Sequence, residues 1–148
     1  MRSMFVGNRE ALMGILAESL TSRGEVLEAY LFGSHARGDA QPHSDIDVAV
    51  YLDTDRVPNP AFGYAAELCT DLMKALGHDA VDVAILNGAS PLLYHRVLRD
   101  GARILARDLA TTTTREGQAL SRYCDFVPQL RKVEVAHSSR IRGGAFGQ

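Results

Sequence analysis

Two aspartates separated by one residue open the apolar segment DIDVAVYL, residues 45–52. Side chains of a β-strand alternate between its two faces, so Asp45 and Asp47 would point the same way with their Cα atoms about 6.6 Å apart. Aspartate is disfavoured in strands, and burying a carboxylate without a partner is costly. Because Mg²⁺ prefers oxygen ligands and commonly takes one or two carboxylates beside a phosphate substrate, this pair predicts a magnesium site.

A third carboxylate, Asp82, lies inside a second apolar segment, VDVAIL, residues 81–86. If the two segments are neighbouring strands, three carboxylates line one face. Such a set can hold two Mg²⁺ ions that stabilise the attacking and leaving oxygens of an in-line phosphoryl or nucleotidyl transfer. In that arrangement Asp45 and Asp47 bridge both ions, while Asp82 contacts only the ion that activates the incoming hydroxyl and accepts its proton.

A Gly-Ser pair precedes these aspartates, at the end of the apolar segment EVLEAYLFG, residues 25–33. Gly33 permits a tight turn and close backbone approach, and the free N–H groups of a short helix starting at Ser34 would attract phosphate. Arg37 would lie on the same helical face and offset the charge of a triphosphate. We therefore predict a phosphate-binding turn at Gly33, Ser34 and Arg37.

Each motif also has a simpler interpretation. Gly-Ser before a helix is most often only a helix cap, and Asp-x-Asp near a strand start is most often a solvated turn. Their combination, with ten residues between the two pairs, is much rarer by chance than either one. We interpret them together as one site, and we interpret the flanking His35 and His43 as solvated loop residues.

The elements that must position this site follow from hydrophobic periodicity and from helix and strand end signals. Helices are predicted at residues 8–23, 61–76 and 90–100, and strands at 25–33, 45–52, 80–86 and 102–106, the last as an edge strand. Thr113 and Glu116 have the spacing of a capping box, which predicts that a final helix starts there.

Bulk composition limits the classes of function. The chain has 148 residues and a formal charge of −2, which argues against a protein that mainly coats nucleic acid, and direct nucleic-acid binding is not expected. It shows no signal peptide and no membrane-spanning segment, so we expect a cytoplasmic protein. The two cysteines lack the spacing of a zinc site or a disulfide framework.

Charge and composition divide the chain into three parts. Residues 1–109 contain 10 basic and 15 acidic side chains, whereas 110–148 contain 6 and 3. We expect a nucleotidyl-transfer domain at 1–109, a helical extension at 110–136 and a disordered tail at 137–148. Apolar and basic residues in the extension suit either docking of a partner or packing on the protein's own sheet, and the sequence leaves both open.

The segment GSHARGDAQPHSDID, residues 33–47, together with Asp82, resembles the active-site signature of the DNA polymerase beta nucleotidyltransferase superfamily in its minimal (MNT) form. The resemblance covers about residues 8–107. It implies an α/β (α+β) fold, a small mixed sheet flanked by helices, here with an added C-terminal helix. It also implies that Gly33 and Ser34 hold the phosphates of ATP, that Asp45, Asp47 and Asp82 are catalytic and bind two Mg²⁺ ions, and that Arg37 assists.

Small stand-alone MNT proteins resemble the antitoxins of HEPN/MNT toxin–antitoxin pairs, which transfer AMP from ATP to a tyrosine of the HEPN ribonuclease. The resemblance therefore implies a protein adenylyltransferase with a HEPN toxin as its partner. Two alternatives remain open: a nucleotidyltransferase for small, aminoglycoside-like molecules, and an antitoxin that acts by binding alone. The sequence also leaves open whether the chain forms a homo-oligomer or a complex with the toxin.

Overall fold

The computed structural model describes residues 8–41, 43–57 and 62–142. Its elements are α1 (Arg9–Thr21), β1 (Val26–Phe32), α2 (Ser34–Arg37), β2 (Ile46–Leu52), α3 (Phe62–Leu76), β3 (Val81–Ile85), α4 (Pro91–Asp100), β4 (Ala102–Ala106) and α5 (Leu109–Arg142). Every helix and strand predicted between residues 8 and 106 is present, and each observed end lies within two residues of the predicted one.

The four strands form one mixed sheet in the order β3-β2-β1-β4. β1 pairs antiparallel with both β2 and β4, whereas β2 and β3 run parallel. The predicted small mixed sheet flanked by helices is confirmed, and β4 is an edge strand as expected. The parallel pair matters most for function because it brings the starts of β2 and β3 together at the same end of the sheet.

One face of the sheet is apolar and is covered by α1 and α3. In α1, the buried side chains Leu12, Leu16 and Leu20 recur every four residues and therefore share one stripe of the helix. The Asn8 side chain caps this helix by accepting a hydrogen bond from the Ala11 backbone N–H at 3.1 Å. The strand residues that complete this core are Val26, Ala29 and Leu31 of β1, Ile46, Val48, Val50 and Leu52 of β2, and Val81 of β3.

The opposite face is covered by α4 and α5. Its core is smaller and contains the buried residues Tyr30, Ala49, Leu86, Tyr94, Val97 and Ala119. α4 begins as predicted, with the Ser90 side chain accepting from the Leu93 N–H at 3.2 Å and Pro91 in the first turn. The alternation of β2 assigns Asp47, which lies between two core residues of the first face, to this second face.

The predicted start of the last helix is wrong. α5 begins at Leu109, four residues before Thr113, and Asp108 lies at its start, where its carboxylate accepts a hydrogen bond from the Thr111 hydroxyl at 2.6 Å. Glu116 does not close a capping box. It accepts from the Tyr30 hydroxyl at 2.6 Å, because a long-range partner on the sheet satisfies the carboxylate in place of its own helix end.

The first turns of α5 are fixed to the sheet by a buried charge. Glu28 of β1 is 1% exposed, and its Oε2 accepts from the Thr112 hydroxyl at 3.0 Å and from the Arg115 guanidinium. Arg115 also lies over the ring of Tyr51, 4.0 Å from the ring centre. This part of the predicted extension therefore packs on the protein's own sheet.

Beyond these turns α5 is more exposed, and Leu120 is 45% accessible. The helix continues to Arg142 and so enters the segment 137–148 that was expected to be disordered, while residues 143–148 lie outside the described part of the chain. No helix among the described residues is long and apolar enough to cross a membrane.

Candidate active site

Gly33 forms the turn between β1 and α2. Its φ of 76° belongs to the region that favours glycine. A Cβ atom at this position would lie 2.2 Å from Oδ2 of Asp47, so any side chain would collide with that carboxylate. The turn predicted to bind phosphate therefore lies directly against one of the predicted metal ligands. Gly33 makes this approach possible because it adopts the required backbone angle and leaves room for the carboxylate.

Asp47 and Asp82 are opposite each other on neighbouring strands. In the parallel pairing of β2 with β3, their Cα atoms are direct partners. Both belong to the sheet face covered by α4 and α5, because the residues on either side of each one belong to the other face. Asp45 stands immediately before β2 with an exposed side chain. The expected adjacency of the two acidic strands is thus present.

The carboxyl group of Asp47 has a pKa raised from the usual 3.8 to about 6. Burial, which removes the charged form from water, is the largest cause, followed by the negative charges of Asp82 and then Asp45. The positive charge of Arg37 acts in the opposite direction. Repulsion among the three predicted ligands is therefore felt at Asp47, and a cation bound beside it would relieve that repulsion.

Arg37 is at the end of α2, at the surface. Its Nε is 3.4 Å from Oδ2 of Asp39, a long and solvent-exposed ion pair that leaves the guanidinium accessible. The positive charge of Arg37 is close enough to Asp47 to lower the pKa of that carboxyl group. Its place beside the Gly33 turn agrees with the predicted role in offsetting phosphate charge.

The three aspartates share one edge of the sheet without forming a closed metal cage. Across residues 8–41, 43–57 and 62–142, no three His, Cys, Asp or Glu side chains are grouped so that they could hold a metal ion. The donors are oxygens only, and burial together with their mutual repulsion raises the pKa of Asp47. This chemistry fits Mg²⁺ that completes its shell with water and phosphate oxygens rather than with protein ligands alone.

One histidine beside the site differs from its prediction. His35 on α2, expected to be solvated, is only 6% exposed, and it shares a partly buried contact with His78, which lies two residues after α3 and is 8% exposed. The Nε2 atom of each ring lies 3.2 Å from the backbone oxygen of Ser44. No local pattern marks this contact, because it joins segments that are 9 and 34 residues apart. His43, by contrast, is exposed as expected.

Comparison with known proteins places this site in a family. Residues 15–110 match the family model described as Polymerase beta, Nucleotidyltransferase. Protein adenylyltransferase MntA of Shewanella oneidensis is 40% identical over 75 residues, which are 51% of this chain and 50% of that protein. A protein of Methanocaldococcus jannaschii is 42% identical over 55 residues, 37% of this chain and 49% of that protein. The chain spans about half the length of these curated relatives.

Solved structures show the same fold. A chain in the structure of tri-AMPylated Shewanella oneidensis HEPN toxin in complex with MNT antitoxin has a TM-score of 0.68 at 20% identity, over 88% of this chain and 98% of that one. A chain in a toxin–antitoxin structure with AMP-PNP has a TM-score of 0.59 at 21% identity, over 90% and 98% of the two chains. The family match includes the Gly33 turn and all three aspartates, and the chain belongs to the polymerase beta nucleotidyltransferase family.

Proposed function

We propose that this chain is a Mg²⁺-dependent protein adenylyltransferase that transfers AMP from ATP to a tyrosine hydroxyl of a HEPN-family toxin and thereby acts as its antitoxin. The observation that carries the proposal is the contact between the Gly33 turn and Asp47, with Asp82 as the strand partner of Asp47. A phosphate-binding turn and a pair of carboxylates are the two parts that nucleotidyl transfer requires, and here they touch.

Each site residue has a separate task in this proposal. The Gly33 and Ser34 backbone and the Arg37 guanidinium hold the triphosphate, while Asp45, Asp47 and Asp82 hold magnesium. Magnesium, when bound, neutralises phosphate charge and assists the attacking and leaving oxygens. The acceptor oxygen bonds to the α-phosphorus, the bond from that phosphorus to the β-phosphate oxygen breaks, and pyrophosphate leaves. Asp82, whose side chain is exposed at this edge, accepts the hydroxyl proton.

The division of the chain into parts belongs to the same proposal. A catalytic domain at 1–109 is supported by the family match, which ends at residue 110. The helical extension at 110–136 uses its first turns to pack on the sheet and leaves Leu120 and Arg122 exposed to solvent. We assign this exposed part, together with the tail at 137–148, to contact with the toxin.

The choice of a protein acceptor rests on the relatives. One is named a protein adenylyltransferase, and the MNT antitoxin structure contains a tri-AMPylated HEPN toxin. ATP as the donor is supported by the related toxin–antitoxin structure with AMP-PNP. Both ATP and Mg²⁺ are abundant in the cytoplasm, where we propose that the protein acts.

The test is incubation of the purified chain with ATP and Mg²⁺, with and without the product of the neighbouring gene, followed by intact-mass measurement. We expect AMP units on the partner, located on a tyrosine by peptide mapping, and no such gain with the Asp45→Ala, Asp47→Ala double variant. A matched control removes two exposed carboxylates of α1 and α3, Glu18→Ala and Glu67→Ala, and should transfer normally.

Two results would redirect the assignment. Pyrophosphate release that depends on small hydroxylated acceptors, with no mass gain on the partner, would identify a small-molecule nucleotidyltransferase. Full neutralisation of the toxin by the Asp45→Ala, Asp47→Ala variant would identify an antitoxin that acts by binding alone.

A further inference from the structure

Every polar group of Ser44, the residue before Asp45, takes part in a hydrogen bond. Its N–H donates to the Gln41 carbonyl at 3.0 Å, and its hydroxyl accepts from the Gln41 N–H at 2.8 Å. Its carbonyl oxygen lies 3.2 Å from the Nε2 atoms of both His35 and His78. The last residue before the first proposed metal ligand is therefore among the most constrained points of this loop.

The shared contact defines the state of both rings. A carbonyl oxygen accepts two hydrogen bonds but donates none, so each ring must carry a proton on Nε2 to bond to it. The rings are buried and meet edge to face, with their centres 6.2 Å apart. A partly buried carbonyl with two ring donors is a built arrangement, because side chains that only filled space would not both direct a donor at one atom.

This contact connects the three segments that carry the proposed site. His35 follows Ser34 of the phosphate-binding turn, Ser44 precedes Asp45, and His78 lies four residues before Asp82 on the segment that leads into β3. The helix that carries His35 is itself anchored, since Arg9 Nη1 donates to the Ala36 carbonyl at 2.9 Å. The backbone pairing of Ile46 N–H with the Ala80 carbonyl, at 2.9 Å, joins two of these segments a second time.

We propose that His35 and His78 are positioning residues that, through the Ser44 carbonyl, hold the phosphate-binding turn and the aspartates Asp45 and Asp82 in register for binding of Mg²⁺ and nucleotide. This inference rests on the proposed function. The two rings touch neither substrate nor metal. Their contribution is geometric, because Asp45 lies outside the sheet ladder and has no strand partner to fix its direction.

The test compares Mg²⁺ binding with stability. Single variants His35→Leu and His78→Leu keep an apolar side chain of similar size but lose the donor, while His35→Gln and His78→Gln keep an N–H donor. Calorimetric titration of Mg²⁺ into the full chain with AMP-PNP should show about tenfold weaker binding in the leucine variants, the lower end of the effect of removing groups that orient metal ligands. The glutamine variants should recover most of that loss.

A matched control is His95→Leu. His95 stacks on Tyr123 at 3.6 Å between α4 and α5, so its loss removes a partly buried ring contact that is unconnected to Ser44. We expect a lower midpoint of thermal unfolding for this variant with unchanged Mg²⁺ binding. The leucine variants of His35 and His78 should instead lose Mg²⁺ affinity, even where their unfolding midpoint falls no further than that of His95→Leu.

Leucine variants that fold and bind Mg²⁺ as tightly as the wild type would overturn the inference and leave the proposed function intact. Absence of Mg²⁺ and AMP-PNP binding in the wild type itself would overturn both. If the leucine variants do not fold, ¹⁵N NMR of the wild-type imidazoles decides: protons on the Nε2 atoms of both His35 and His78 support the inference, and a neutral ring protonated only on Nδ1 overturns it.

Discussion

Replacing Asp47 with asparagine should stabilise the metal-free protein. Asparagine preserves the shape of the side chain beside Gly33 but carries no charge, so it removes the burial cost of the carboxylate and its repulsion with Asp82 and Asp45. The Asp47 pKa of about 6, against a usual 3.8, sets the scale. At about 1.4 kcal/mol for each pKa unit the ceiling is about 3 kcal/mol. Since the group is only partly buried, solvent screening reduces this to about 1–2 kcal/mol.

The sign of the pH dependence follows from the direction of the shift. A raised pKa means that the folded protein binds the Asp47 proton more tightly than the unfolded chain, so ionisation of this group costs stability as pH rises. The penalty is absent below about pH 3.8 and complete above about pH 6. Asp47→Asn should therefore gain free energy of unfolding over the wild type at pH 7.5 and lose that advantage near pH 4.

The assay is thermal unfolding of both proteins at several pH values, without metal and then with Mg²⁺ and AMP-PNP. For a chain of this size, about 1–2 kcal/mol corresponds to a rise of about 5 °C in the unfolding midpoint at pH 7.5. Mg²⁺ should stabilise the wild type by mass action and reverse the order of the two midpoints. Glu67→Gln, which neutralises an exposed carboxylate on α3, is the control. A variant that is less stable than the wild type at pH 7.5 without metal would refute the electrostatic reasoning.

Three further outcomes are expected. Gly33→Ala should abolish nucleotidyl transfer and destabilise the fold by about 2 kcal/mol, because the left-handed backbone angle and the contact with the Asp47 carboxylate both oppose a Cβ atom; transfer rate and unfolding report it, and normal transfer would contradict it. Arg37→Ala should raise the KM for ATP about tenfold with little change in unfolding, as loss of one charge-assisted contact to phosphate predicts. Arg115→Met should lower the free energy of unfolding by about 3 kcal/mol at pH 8 and by less as the pH falls, because burial raises the pKa of Glu28 and favours its neutral form; a loss that does not change with pH would show that the ion pair is not the cause.

The local part of the fold could be predicted from the sequence. Apolar residues every four positions specify α1, and Ser90 with Pro91 specifies the start of α4, because these signals lie within one or two helical turns. The start of α5 could not be predicted in this way. Thr113 and Glu116 have the correct spacing for a cap, but Tyr30, 86 residues away from Glu116, determines what the carboxylate binds.

The residues of the site likewise differ in how far the sequence predicts them. Gly33, Asp45 and Asp47 could be predicted because a turn and an acidic strand start are local sequence patterns. The adjacency of Asp82 required only that two predicted strands be neighbours, and their parallel register provides it. The ring contacts with Ser44 depend on the tertiary approach of a short helix and a loop, for which the sequence holds no periodic signal.

The two-residue period of β2 explains how one strand serves both stability and chemistry. Ile46, Val48 and Val50 face the larger core and are fully buried, so they fix the register of the strand through apolar packing. Asp47 lies between them on the opposite face, where it carries an unfavourable charge that the same packing holds in place. A shift of one residue would exchange the two sets and place the carboxylate in the core. The apolar residues of β2 therefore determine the direction of the Asp47 side chain. The unfavourable free energy of its ionised carboxylate is what bound magnesium and nucleotide would offset.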